Sequence, residues 1–315
     1  MNSALSIEVI ILYYKEFDYF CESLTSVLAQ DHKDFSVLVI DDASKDERLE
    51  RYISSKDDSR IKLVTNSKNI GLAKNFELAR SLSSAEFVIF LGQDDVLEND
   101  YVSTVLPWLS QDNSIAIVQP KVSVMDGHGK RFLPLADLVK SSLTKLAWVI
   151  GEKQKKGTTL GSLLSSRKAA GVLLLGDFLY FPTLTWKSSL MKSFDVSREV
   201  TLDYQMIMDV LHKDGQLLLL SKDCARYRRH SRSASMKPER MIQRLYEERN
   251  FHYSLRKHDL LSGFPILRLL NALRISHRLH ALQMSMSYVA AREWSNSLHA
   301  LRCMLLSERR SNNVS

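Results

Sequence analysis

Two adjacent carboxylates, Asp94 and Asp95, follow the apolar run FVIFL (87–91) with only Gly92 and Gln93 between. A second pair, Asp41 and Asp42, closes the β-branched run SVLVIDD. Neighbouring carboxylates repel one another and resist desolvation, so each pair requires a cation, a helix N-terminus or open water. Asp203 heads a segment in which Met206, Ile207, Val210 and Leu211 recur at helical spacing. A carboxylate there can take a proton from a hydroxyl, and can equally stabilise the N-terminus of its own helix. Further on, YRRH (Tyr227–His230) sets Arg228 and Arg229, which could pair with phosphate oxygens, beside an imidazole.

The elements that must carry these residues are legible over the first 120 positions. EVIILY (8–13), SVLVIDD (36–42), IKLVT (61–65), EFVIFL (86–91) and IAIVQP (115–120) read as strands. Between them Phe17, Phe20, Leu24, Val27 and Leu28, then Leu72, Phe76, Ala79 and Leu82, form helical faces. Such alternation predicts an α/β fold: a mostly parallel sheet flanked by helices, with ligands bound beyond the carboxyl ends of its strands. Both acid pairs then open on one edge. Residues 122–176 show no clear period, and GEKQKKGTT (151–159) is expected to be an exposed, mobile loop. From Met236 the chain reads as helices with a break near Ser262–Gly263, which predicts a catalytic domain over 1–235 and a helical, basic extension over 236–315.

Composition narrows the classes. A hydrophobic fraction of 45% in 315 residues supports a sizeable core and excludes wholesale disorder. Cys21, Cys224 and Cys303 have no CxxC spacing, so neither a zinc site nor a disulfide framework is expected, in keeping with a cytoplasmic protein. MNSALSIEVIILYY lacks the basic start and small-residue cleavage site of a signal peptide. The run from Ala169 to Trp186 contains Asp177 and Pro182 and is short for a span of about 20 residues, so it reads as buried interior. The net charge of +7 is uneven: residues 221–315 hold 18 Lys and Arg against 7 Asp and Glu. A basic end attracts phosphates, anionic headgroups or nucleic acid. No nucleic-acid motif accompanies it, so these helices are expected either to present a solvated surface or to dock on a partner, on the sheet domain or peripherally on the inner face of a membrane.

The opening VIILYYKEFDYFCESLTSVLAQDHKDFSVLVIDDASKDE resembles that of family 2 glycosyltransferases, and NIGLAKN (69–75), FLGQDD (90–95), LDYQMIMDVLHKDG (202–215) and YRRHSRSAS (227–235) follow in that family's order. The resemblance implies the A-type glycosyltransferase fold and sugar transfer with inversion from a nucleoside diphosphate sugar, the base being uridine or thymidine, to a carbohydrate or lipid-linked glycan. It implies Mg²⁺ or Mn²⁺, which take hard oxygen ligands and oppose the charge of a departing diphosphate. It makes Asp95 the principal metal ligand with His230 a further one, sets Asp94 near the ribose, and has Asp42 read the base, flanked by the backbone of Leu12 and Tyr13. Lys74 would assist the nucleotide, Arg228 and Arg229 the phosphates, and Asp203 would be the catalytic base. Trp186 is a candidate for the acceptor pocket, with a place in the apolar core the stronger reading. The sequence departs from the family pattern at Leu12, Lys15, Ala43, Gly92 and Leu202, where proline, asparagine, glycine and two acids are frequent. A fold of this kind that binds nucleotide or glycan without turnover is the alternative.

Overall fold

The computed structural model describes residues 6–110, 112–230, 238–290, 292 and 294–305. Strands β1 (Ile7–Tyr13), β2 (Ser36–Asp41), β3 (Ile61–Thr65) and β4 (Phe87–Leu91) pair in parallel in the order β3-β2-β1-β4. All five residues of β4 are buried, as a strand covered on both faces requires. Helices α1 (Phe17–Leu28) and α3 (Leu72–Leu82) occupy the segments whose period predicts them. Helix α2 (Glu47–Ser54) does not announce itself, because only Leu49 is buried in it; its signal is the cap, Asp46 accepting the Arg48 amide at 3.1 Å.

Beyond β4 the sheet turns mixed. Strand β9 (Thr185–Lys187) runs antiparallel between β4 and β6 (Ile115–Met125), and β6 pairs in parallel with β10 (Gln216–Arg228). The register between β6 and β10 shifts around Pro120, which has no N–H to give to a ladder. The segment expected to be a mobile loop is instead strand β7 (Glu152–Lys156), paired with β8 (Thr159–Leu164) at the sheet's margin. Its lysines mask a strand pattern while suiting an edge, and the turn is made by Gly157 at φ 56. Short β5 (Val96–Leu97) pairs with the far end of β10. Helices α4 (Tyr101–Leu109), α5 (Leu135–Ile150), α6 (Ser166–Leu175) and α7 (Leu202–His212) complete this part of the chain. Of the Ala169–Trp186 run, most residues are buried, as expected.

The two non-glycine turn residues near the rim that depart from the family pattern, Lys15 and Ala43, both sit at positive φ, 69 and 52. A Cβ in the left-handed region is strained, so Ala43→Gly should raise unfolding free energy by about 1 kcal/mol, read as a higher urea midpoint. A lower midpoint would show that chain entropy outweighs the relief.

Compact contacts divide the chain into a sheet unit, Met1–Val172 with Phe178–His230, and a helical unit, Leu173–Asp177 with Ser231–Ser315. The expected boundary at 235/236 lies outside the described residues. The helical unit holds α8 (Pro238–Ser254), α9 (Pro265–Leu273), α10 (Ile275–Ala290) and α11 (Trp294–Leu305). Buried Glu248 accepts from Arg244 Nε at 2.8 Å and pairs with His280 Nδ1 at 2.9 Å. These partners outweigh burial and hold its carboxyl down at about 2. Burial pushes His252 and His277 below the ordinary imidazole value. Neutral in the fold, both bind protons more readily once unfolded, so their contribution is complete above about pH 6.5 and is lost as pH falls below it. Hydrogen-exchange protection of α8 and α10, corrected for intrinsic rates, should therefore drop several-fold between pH 7 and 5; constant protection would contradict this account.

Candidate active site

Parallel β1, β2 and β4 bring their carboxyl ends to one edge, which places both acid pairs there. The turn after β4 closes through the Asp95 amide, which donates to the Gly92 carbonyl at 3.1 Å. Gln93 ties this turn to the end of β1: its Oε1 accepts the Tyr14 amide at 2.8 Å and its Nε2 donates to the Tyr14 carbonyl at 3.3 Å. Gly92 has a steric reason to be glycine. A Cβ there would lie 2.3 Å from Asp95 Oδ2, so the carboxylate occupies the space a side chain would fill.

The last residues of β10 cross to this turn. The Arg228 amide donates to Asp95 Oδ1 at 2.8 Å, and Arg228 Nε donates to the Asp94 carbonyl at 2.7 Å. His230 Nε2 pairs with Asp94 Oδ2 at 2.8 Å. Alternation along an extended chain explains the division of labour: residues 228 and 230 reach the acids, while Arg229 forks onto buried Asp137 at 2.7 and 3.0 Å. Asp95 is 1% exposed, and burial, then the charge of Asp94, pushes its carboxyl well above the usual range. A cation beside the pair would favour the ionised form of both carboxyls.

The side chains fit such a cation chemically. Asp95 and Asp94 offer hard oxygens, and His230 Nδ1 is buried without a hydrogen-bond partner. Among the described residues no three His, Cys, Asp or Glu converge into a ready cage. That is compatible with Mg²⁺ or Mn²⁺, which typically use one or two carboxylates and complete their shell with substrate phosphates and water.

The other expected site residues fall differently. Both arginines are engaged within the protein rather than aimed at phosphate. Arg228, 2% exposed, also bonds Glu22 Oε2, reaches the Gly127 carbonyl at 3.4 Å and lies 4.7 Å from the Tyr19 ring centre. Asp42 is 4% exposed, and its oxygens accept the Ile70 amide (2.8 Å), the Gly71 amide (3.0 Å) and Asn66 Nδ2 (2.9 Å). It shapes the loop into α3 with little capacity left for a base. Leu12 is half-buried at the end of β1. Tyr13 turns its ring into the core and donates to Asp46 Oδ2 at 2.7 Å, leaving its backbone as the part near the rim. Lys74 is exposed in the first turn of α3. Asp203 is half-buried at the head of α7, where its Oδ1 accepts the Tyr204 amide at 2.7 Å. Trp186 is a correction: it is 0% exposed in β9 and packs 5.5 Å from the ring of Phe181, so it belongs to the core and not to an open acceptor wall. Gln93, Glu22 and Tyr19 were not legible as site residues, since their importance arises from contacts with residues distant in sequence, 14, 228 and 230 among them.

This sheet order, acidic rim and crossing strand define the A-type glycosyltransferase fold, followed by C-terminal helices. The truncated S. aureus TarS (1-349) in complex with UDP-GlcNAc superposes with a TM-score of 0.68 at 18% identity, over 95% of this chain and 82% of that one. The mannosyltransferase PcManGT from Pyrobaculum calidifontis, in complex with GDP-Man and Mn²⁺, gives 0.55 at 14% identity, over 96% and 88%. Residues 8–161, a little under half of the chain, match the model of the family Glycosyl transferase family 2. An uncharacterized glycosyltransferase of Rickettsia conorii is 35% identical over 109 residues, 35% of this chain and 18% of that protein. The Bacillus subtilis protein EpsE, described as a putative glycosyltransferase, is 26% identical over 133 residues, 42% and 48% of the two chains. The chain thus matches less than half the length of these relatives. No helix among the described residues is long and apolar enough to cross a membrane.

Proposed function

We propose that the protein is an inverting, metal-dependent glycosyltransferase that moves a sugar from a uridine or thymidine diphosphate sugar to a hydroxyl of a carbohydrate or lipid-linked glycan in cell-surface polysaccharide synthesis. The observation that carries this reading is the buried Asp95 carboxylate, crowded by Asp94 at the carboxyl edge of a parallel sheet and fixed by the Arg228 amide. Such a charge is costly to keep unless a ligand uses it.

Asp95 and Asp94, with His230 behind them, would hold a divalent cation, which supplies charge neutralisation for the diphosphate as it leaves. The turn tied down by Gln93 would give the donor phosphates a fixed wall to lie against. Asp203 takes the acceptor proton as its oxygen attacks the anomeric carbon from the side opposite the diphosphate. The TarS structure with UDP-GlcNAc and PcManGT with GDP-Man and Mn²⁺ support a nucleotide sugar and a divalent ion for this fold. The protein would act in the cytoplasm, its basic C-terminal helices resting on a membrane face. There Leu267 and Arg274 are buried, so the contact would use exposed Ile266, Leu269 and Leu279 beside Arg268 and Arg278.

The test is a thermal-shift screen of nucleotide sugars with and without Mn²⁺, followed by release of free nucleotide from the donor that shifts. A metal-dependent shift with nucleotide release supports transfer. Binding without release even with candidate acceptors would favour the binding-module alternative, and no shift with any donor would overturn both.

A further inference from the structure

A cavity of about 690 Å³ lies between α5 and strands β6 and β10. Protein interiors are close-packed, and a void of this size falls within the range, about 300–1,000 Å³, of sites that hold small molecules. Its walls are mainly hydrocarbon: Val122, Val124, Trp148 and Leu219 form part of the lining, with Phe132 and Leu133. The last two remain 43% and 57% exposed, which marks the mouth as open to water.

The polar groups on the wall do not call for a polar guest. Asp137 is held by the Arg229 fork and by the Tyr180 hydroxyl at 2.7 Å. Gln119 accepts the Tyr180 amide at 2.8 Å and donates to Thr183 Oγ1 at 3.0 Å. What the lining does present is unbalanced positive charge. Lys121 and Lys145 line the cavity, are exposed, and make no ion pair among the described residues. Arg131 beside them has Glu98 and Asp223 only at 3.6 and 3.7 Å. Asp137 is the one acid on the lining, and it is already neutralised.

An apolar chamber with cations and no available acid selects one ligand chemistry. We propose that the cavity beneath α5 binds the hydrocarbon chain of an anionic amphiphile, with its charged head at Lys121 and Lys145. A neutral apolar molecule would leave the lysines without a partner, and a bare anion would leave the apolar wall in contact with water. The acid pair after β4 plays no part in this recognition. A lipid-linked acceptor is one member of the ligand class, so the probe carries no sugar and the readout is binding alone; failure here leaves sugar transfer standing, and failure of transfer leaves this site standing.

The test is calorimetric titration of the full chain, without donor or metal, with dodecyl phosphate below its micelle concentration, and in parallel with dodecanol and inorganic phosphate. Dodecyl phosphate should bind at least tenfold more tightly than dodecanol, and inorganic phosphate should give no saturable heat. Thr144→Trp, which fills the chamber from α5, should weaken dodecyl phosphate at least tenfold. Lys121→Glu combined with Lys145→Glu, both at exposed positions, should weaken dodecyl phosphate to the level of dodecanol and leave dodecanol unchanged. Equal binding of inorganic phosphate would reduce the site to anion attraction and overturn the proposal. So would wild-type affinity in the lysine double variant, which decides the matter even if Thr144→Trp does not fold.

Discussion

Asp203→Asn should lower the rate of sugar transfer by a factor of about 10² to 10⁴ while leaving the melting temperature close to that of the wild type. Asparagine keeps the size of the side chain and an oxygen able to accept the Tyr204 amide, the bond that Asp203 makes at the head of α7. It cannot take a proton from an attacking hydroxyl. The loss should fall on kcat, with the donor's affinity unchanged, because in the proposed mechanism the substituted group acts on the acceptor in the transition state and not on the bound nucleotide. If the variant keeps wild-type turnover on the substrates identified by the screen, Asp203 is only an N-terminal stabiliser of its helix.

Arg228→Met should cost about 3 kcal/mol of stability and abolish donor binding together. The guanidinium is 2% exposed and joins the Asp94 carbonyl, the Gly127 carbonyl and Glu22, while its ring partner is Tyr19. Methionine fills the space and takes the side-chain donor from the Asp94 carbonyl, while the Gly127 carbonyl keeps the Tyr19 hydroxyl at 3.2 Å. The backbone amide that holds Asp95 survives the substitution, but the turn it braces loses its second tether. Urea midpoints read the first effect, and loss of the donor-induced thermal shift reads the second. Arg228→Lys should recover only part of either, because one ammonium cannot span what a planar fork spans. A variant that loses donor affinity with undiminished stability would instead make Arg228 a direct phosphate ligand.

The parallel half of the fold was readable because β1, β2 and β4 are continuous apolar runs and α1 carries a buried stripe; α3 was placed by its period although Leu72 and Leu82 of that face are exposed. The mixed half was less so. Strand β7 is written in lysines because it lies at an edge, and α2 has one buried residue, so hydrophobic period was silent on both. Of the site, the acid pair and its placement could be argued from residue type and strand ends. The partners of Asp94 and Asp95 could not, since Arg228 and His230 arrive from more than 130 positions away, as the separations of 134 and 136 show. Nor does a sequence distinguish a guanidinium waiting for phosphate from one already engaged. Arg229 looks the same in either case until Asp137 is placed beneath it.

Gly92 also bears on how this chain can change over generations. An acid at that position cannot coexist with the present seat of the neighbouring carboxylate, which fills the volume its first side-chain carbon would need. Regaining the longer acidic stretch therefore requires the Asp95 carboxylate to shift, at the expense of its bond from the Arg228 amide.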